Sequence, residues 1–274
     1  MSFSLFKCFD IPILLKVYIM LYNKIKPNTN LIGGNVVYFE TIDSTNTVAK
    51  ENDYKDGTVI IAETQTAGKG RLGRSWESEE HSGIYMSVVL MPDISLERIP
   101  MLTLVAGISV CNVLTKLCNV PFKIKWPNDI VADGKKVCGI LTEGVVSHKG
   151  TKAVVGIGIN VNNKNFSNEL SDKASSIYML TGKSFERECI INTILEEFEK
   201  AYNNYLEGKQ FIKDYEKLCI NINRQVTFIK DGVQINGTAV AVAGNGELVI
   251  KKEDGTTLNI NSGEVSVRGI YGYC

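Results

Sequence analysis

The stretch AETQTAGKGRLGRSW, residues 62–76, sets three cations, Lys69, Arg71 and Arg74, among the glycines Gly68, Gly70 and Gly73. The glycine spacing spells G-x-G-x-x-G, the dinucleotide fingerprint. That motif needs a helix opening at its third glycine, so that a pyrophosphate meets the helix N-terminus. Here RSWESEEHSG follows, without apolar periodicity, and leads into another strand-like run. A P-loop requires Gly-Lys-Ser/Thr, and GRS does not supply it. What remains is a glycine turn carrying cations. Glycine lets backbone approach a ligand closely, and Arg offers a planar fork matched to phosphate or carboxylate oxygens. Taken alone, the stretch reads equally well as a solvated basic loop.

Four further stretches carry residue types with chemical potential. IKWPNDI (124–130) follows a strand pattern with a Trp-Pro corner that presents Asn128 and Asp129, residues that also make ordinary Asx turns. KKVCGILTE (135–143) opens an apolar strand with Lys136, although lysines at such places are commonly just solvated. GIGINVN (156–162) alternates Gly and Ile, which opens one face of a strand while packing the other. DSTN (43–46) offers Asp43 or Ser44 as the N-cap of a helix.

These residues need a scaffold. VVYFE (36–40), TVIIAET (58–64), GIYMSVVLMP (83–92) and FKIKWP (122–127) read as strands; VCGILTEGVV and TKAVVGIGINV form a hairpin pattern across SHKG. Residues 96–118 bring Leu102, Val105, Ile108, Val113, Leu114 and Leu117 to one helical face. Ile190, Ile191, Ile194, Leu195, Phe198 and Tyr202 do the same farther on, before a segment around 209–220. PNTNLIGG (27–34) has the breakers of a linker. From residue 224 onward, five short strand-like runs are broken by KDG, GNG, EDG and NSG, the pattern of a small barrel or sandwich. The fold class is α+β: an N-terminal extension (1–34), a mixed-sheet domain (35–222) and a small all-β domain (223–274).

Composition narrows the function. The 274 residues carry 30 basic and 30 acidic side chains, so any cationic function is local. Two histidines make a zinc site improbable, and no metal ligand set is assigned. Seven scattered cysteines without a C-x-x-C pair suit reduced thiols in a cytoplasmic protein. The apolar first 22 residues are interrupted by Lys7, Asp10 and Lys16, short of a membrane span, and read as an extension or a weak interfacial anchor.

Taken in order, DSTN, QTAGKGRLGRSW, KWPND, KKVCGILTE and GIGINVN closely resemble the biotin–protein ligase family, over about residues 35–270. The resemblance implies a mixed-sheet catalytic domain of the class II synthetase-like type with a C-terminal SH3-like barrel. It implies an ATP- and magnesium-dependent reaction: biotin becomes biotinyl-5′-AMP, then passes to one lysine of a biotin carboxyl carrier domain. It further implies that Ser44, Thr45, Asn46 and Gln65 hold biotin, together with Lys69, Gly70, Arg71, Lys136, Gly139, Gly156 and Gly158. Lys69, Arg71, Arg74, Trp76, Asn128, Lys136 and Asn160 hold ATP or the adenylate. Arg71 and Lys136 serve the reacting centre, and Asp129 orients or deprotonates the acceptor amine. Two departures stand out. Lys69 stands where the family usually has arginine, and the first 34 residues lack the winged helix that repressor members carry, so no operator binding is expected. The resemblance leaves room for a homodimer. A lipoate or octanoate ligase of the same superfamily and a nucleic-acid-binding module are the alternatives; the neutral net charge and the acidic ESEE after the loop weigh against the latter.

Overall fold

The computed structural model describes residues 24–147, 150–230, 233–261 and 268–269. The expectations for the first 22 residues therefore lie outside the described residues. So do the chain reversal of SHKG at 148–149 and most of the last strand.

A seven-stranded mixed sheet forms the body. Its strands are β1 (Asn35–Ile42), β2 (Thr58–Gln65), β3 (Gly83–Leu90), β4 (Lys123–Lys125), β5 (Asp129–Ala132), β6 (Lys135–Ser147) and β7 (Gly150–Asn160). They lie in the order β1-β2-β3-β7-β6-β5-β4, with β1 and β2 parallel and the remaining pairs antiparallel. The parallel β1–β2 pair requires a crossover, supplied by helix α1 (Thr45–Glu51), which places DSTN at the entrance of that helix.

One sheet face packs a single core. Val59, Ile61, Ile84, Val88, Val155, Ile157 and Ile159 meet the helices α2 (Met101–Cys118) and α4 (Arg187–Leu206) there. The sequence predicts one apolar face for residues 96–118. Instead α2 is buried on almost every side, Met101, Leu104, Ala106, Val110 and Cys111 included, because it lies between the sheet and α4. The 96–118 segment is long and apolar enough to cross a membrane, yet most of it is buried inside the fold. The apolar face of α4 is the one expected. Two short helices, α3 (Ile177–Thr181) and α5 (Ile212–Leu218), flank it.

Residues 27–34 are not a linker. Ile32 is fully buried, and the Glu199 carboxylate of α4 accepts the backbone N–H groups of Asn30, Leu31 and Ile32 at 2.6–2.8 Å. A buried carboxylate needs such donors, and a chain with three unpaired N–H groups supplies them. Breaker residues therefore shape a docked arm.

The C-terminal strands β8 (Arg224–Lys230), β9 (Val233–Val242), β10 (Leu248–Lys251), β11 (Thr257–Ile260) and β12 (Arg268–Gly269) form an antiparallel sheet in the order β11-β10-β9-β8-β12. Four of the five expected strands are present; of the fifth, expected at 264–268, only Arg268 lies among the described residues, where it pairs in β12 with β8. This sheet is tied to the body: Gly246 O accepts from Trp126 Nε1 at 3.1 Å, and Glu216 of α5 accepts from Val242 N at 2.7 Å.

Candidate functional site

Register builds the floor of the site. In β3, β7 and β6, Ser87 lies opposite Gly156, which lies opposite Leu141; one step along, Tyr85, Gly158 and Gly139 are aligned, and Asp129 of β5 continues that row. Directly opposed residues share a face, so these are two rows of one floor, and Ile157 and Ile159 turn the other way into the core. Three glycines leave the floor depressed. A Cβ on Gly156 would stand 2.1 Å from Asn46 Oδ1, so that depression is filled by the Asn46 amide. A Cβ on Gly158 or Gly139 would stand 2.7 or 2.8 Å from the Trp76 ring, so the indole occupies the other two.

The glycine–arginine stretch is an ordered turn. Trp76 N donates to Gly68 O at 2.8 Å, Gly70 N donates to Arg74 O at 2.7 Å, and Lys69 and Ser75 form an antiparallel bridge. The tip turns through Leu72 and Gly73, both at positive φ (55° and 72°), and no helix follows. This turn folds over the floor and carries Arg71 to Asn128, whose Oδ1 accepts from Arg71 Nη1 at 3.0 Å. Asn128 is itself fixed, because its Nδ2 donates to Ile140 O at 2.9 Å. The Trp-Pro corner behind it, with a cis Trp126–Pro127 bond, is held by Tyr215 Oη donating to Pro127 O and by Trp126 N donating to Asn221 Oδ1.

Two cavities meet at this turn. A small one of about 50 Å³ is lined by Ser44, Thr45, Gln65, Lys69, Tyr85, Gly139, Gly156 and Gly158, among others. A large one of about 850 Å³ is lined by Arg74, Lys125, Asp129, Asn160, Asp172 and Lys173, among others. Gly70, Arg71, Trp76, Asn128 and Lys136 line both, and so form the wall between them. The wall is cationic. Lys136 Nζ lies 2.7 Å from Asp129 Oδ1 and 5.2 Å from the centre of the Trp76 ring. Burial pulls the Arg71 guanidinium below its ordinary pKa, Asp129 opposes this and Arg74 adds to it; it stays charged at any working pH. Two fixed cations facing two compartments suit a reaction that joins one anion to another.

The structure thus gathers the residues singled out from the sequence into one place, with different parts for some. Asn46 does not line either cavity; it stands behind Gly156 and donates to Leu141 O and to Glu143 Oε2 at 2.8 Å. Gly156, Gly139 and Gly158 make room for Asn46 and Trp76 side chains, where the sequence suggested room for ligand. Asp129 is held by Lys136, which makes it a poor base for an incoming amine. Asn160 lines the large cavity and donates to Ser175 O. Sequence reasoning missed Lys125, a lysine only 6% exposed inside the quoted KWPND, and Ser87, fully buried in β3. A lone serine within the apolar run GIYMSVVL was the available signal for the second.

Comparison with known proteins decides the family. The profile described as "Biotin/lipoate A/B protein ligase family" matches residues 38–160, and "Biotin protein ligase C terminal domain" matches residues 222–268. The bifunctional ligase/repressor BirA of Bacillus spizizenii is 37% identical over 235 residues, covering 83% of this chain and 72% of that protein. The chain belongs to the biotin–protein ligase family. The biotin–[acetyl-CoA-carboxylase] ligase of Mycobacterium tuberculosis is 32% identical, covering 77% of this chain and 79% of that one. The biotin protein ligase of Aquifex aeolicus, solved with biotin and ATP, superposes with a TM-score of 0.77 at 34% identity, covering 86% of this chain and 99% of that one. Membership explains why the five motifs, distant in sequence, converge on one site of this ligase.

Proposed function

We propose that the small cavity takes the ring of biotin and the large cavity takes ATP as its magnesium complex, so that carboxylate and α-phosphate meet at the wall of Arg71 and Lys136. The wall itself carries this reading: five residues face both compartments, and two of them are fixed cations. A carboxylate oxygen of biotin attacks the α-phosphorus, the α–β anhydride bond breaks, and pyrophosphate leaves. The product, biotinyl-5′-AMP, spans both cavities. Negative charge builds on the α-phosphoryl oxygens, where positioned guanidinium and ammonium groups contribute most. Among the described residues no three His, Cys, Asp or Glu side chains cluster as a metal cage, which suits a cation carried in by phosphates.

In the second step the ε-amine of a lysine on a carrier domain attacks the acyl carbon, and AMP leaves with the bonding electrons. That amine must first lose a proton from a reference pKa of about 10.4. Neighbouring cations and desolvation both favour its neutral form, and Arg71, Lys136 and Lys69 supply the cations. Asp129 then acts by holding Lys136 in the wall. The five described cysteines are all free, which supports a reducing, cytoplasmic setting.

Incubating the protein with biotin, ATP and magnesium and following biotinyl-AMP by mass tests the first step. Adding a carrier domain tests the second. Lipoate in place of biotin should give no adenylate; formation of lipoyl-AMP in preference to biotinyl-AMP would reject the assignment.

A further inference from the structure

A chain of buried hydroxyls and amides runs behind the small cavity, and its hydrogen-bond directions can be worked out one group at a time. Asn46 Nδ2 faces Leu141 O at 3.2 Å and Glu143 Oε2 at 2.8 Å, two groups that only accept, so Oδ1 must face the other way. That Oδ1 lies 2.6 Å from Ser87 Oγ and can only accept, so the single Ser87 proton is committed to it. Ser87 Oγ is also 2.7 Å from Thr45 Oγ1. With the Ser87 proton already placed, the single Thr45 proton has two acceptors in reach, Ser87 Oγ at 2.7 Å and Gln65 Oε1 at 3.2 Å, and the nearer contact directs it to Ser87. Thr45 is left with acceptor lone pairs only. On its other side, the Thr45 backbone N–H donates to Gln65 Oε1 at 2.8 Å, which orients the amide and leaves Nε2 as a donor, with Ser78 Oγ a distant 3.4 Å away.

We infer that Ser87, with Asn46, sets ligand specificity by fixing proton direction. The pair makes the cavity present an acceptor at Thr45 beside a donor at Gln65, the complement of the N–H and C=O of a cyclic urea. Neither Ser87 nor Asn46 lines the cavity, so both are positioning residues. Both are nearly or wholly buried, at 0% and 4% exposure, so water cannot replace a missing partner. Thr45 and Gln65 do line the cavity. A site built in this way rejects a ring lacking the urea, because its own polar groups would then go unpaired. The inference rests on reading the small cavity as the biotin site.

The test is calorimetric titration of the full chain with biotin alone, for the parent, Ser87→Ala, Asn46→Ala and the double variant, each first checked by thermal melting. Each single change should weaken biotin roughly tenfold, the scale of one misdirected buried hydrogen bond. The double should weaken it no more than the worse single, because both cut one relay. Desthiobiotin, which keeps the urea, should lose affinity in step with biotin. The adenylation kcat at saturating biotin should stay within about twofold, since the relay acts on binding and not on the reacting centre. A folded variant that binds biotin like the parent, or single effects that add fully in the double, would overturn the relay. If Ser87→Ala does not fold, Asn46→Ala alone decides by the same criterion. A parent that binds no biotin would overturn the biotin reading itself, a different outcome from a relay that fails in a biotin-binding parent.

Discussion

The wall and the floor of this site are built from opposite materials. The wall between the cavities is cationic, partly solvated and carried largely by a turn: Arg71 on the glycine turn, with Lys136 and Asn128 at neighbouring strand ends. The floor side of the small cavity is uncharged at three groups carried on regular elements: Thr45 on α1 and Ser87 on β3, both buried, and Gln65, half-buried at the end of β2. Cations beside the reacting phosphorus gain most in the transition state, whereas a fixed pattern of donors and acceptors holds the ground state and the transition state alike. The wall should therefore govern kcat and the floor KM.

The largest break in that contrast should come from the wall. Arg71→Ala or Lys136→Ala should lower kcat for biotinyl-AMP formation by about 10²–10³-fold, the scale of losing a transition-state charge donor. The KM for biotin should move far less. A burst assay of pyrophosphate release would check both numbers, and a loss confined to KM would erase the distinction.

Next come the glycines, where the two regions touch. Gly158→Ala would drive a Cβ to 2.7 Å from Trp76, and Gly156→Ala one to 2.1 Å from Asn46 Oδ1. Gly158→Ala should displace the indole and raise the KM for ATP. Gly156→Ala should disturb the amide and raise the KM for biotin, with a stability loss of about 1–3 kcal/mol from overpacking. Steady-state kinetics in both substrates would show whether the two effects separate as stated.

Asp129→Asn sharpens the wall from within, since it keeps the shape and removes the charge that holds Lys136 at 2.7 Å. We expect kcat to fall by about tenfold, in keeping with a positioned group losing its partner. The rate of transfer from preformed biotinyl-AMP should not acquire the pH dependence of a lost general base.

A charged group outside both regions gives the control. Burial pushes the Glu63 carboxyl up, but the Arg187 guanidinium at 2.7 Å, the Tyr38 hydroxyl and the His81 N–H together bring it below the ordinary range. A depressed folded pKa adds stability above the unfolded value of about 4.3, and that stability is lost as pH falls through the folded value. Glu63→Gln should thus lower the Tm at pH 7 and flatten its fall below about pH 4, with both KM values unchanged. The smallest effect belongs to Lys69→Arg at the exposed end of the turn. It should slow escape of biotinyl-AMP a few-fold by restoring a bidentate fork, as a trapping assay would show.

Much of this was legible in the residues. Strand runs, the hairpin pattern, the helix after DSTN and the C-terminal strands between 224 and 260 follow from period and breakers, because side-chain direction repeats every two residues in a strand and every 3.6 in a helix. That the G-x-G-x-x-G spacing is not a dinucleotide turn is also legible, because a helix start is a local signal and RSWESEEHSG carries none. The docked arm at 27–34 was not legible: Pro, Asn and Gly mark a bend, but the Glu199 that satisfies it lies far along the chain. Nor was the burial of α2 on almost every side, since its periodicity records one partner while the fold supplies several.

The sequence by itself determined the elements, the residue types at the site and the cationic character of its loop, since each depends on neighbours within a few positions. Only the tertiary structure decided which side chain fills which glycine hollow, that Asp129 serves Lys136, and that Ser87 joins Asn46 to Thr45. Those are contacts between residues 7 to 110 positions apart, among them Lys136 with Asp129, Ser87 with Thr45 and Asn46, and Asn46 with Gly156. Sheet register aligns the strand residues, and the docking of α1 on the sheet brings Thr45 and Asn46 to them.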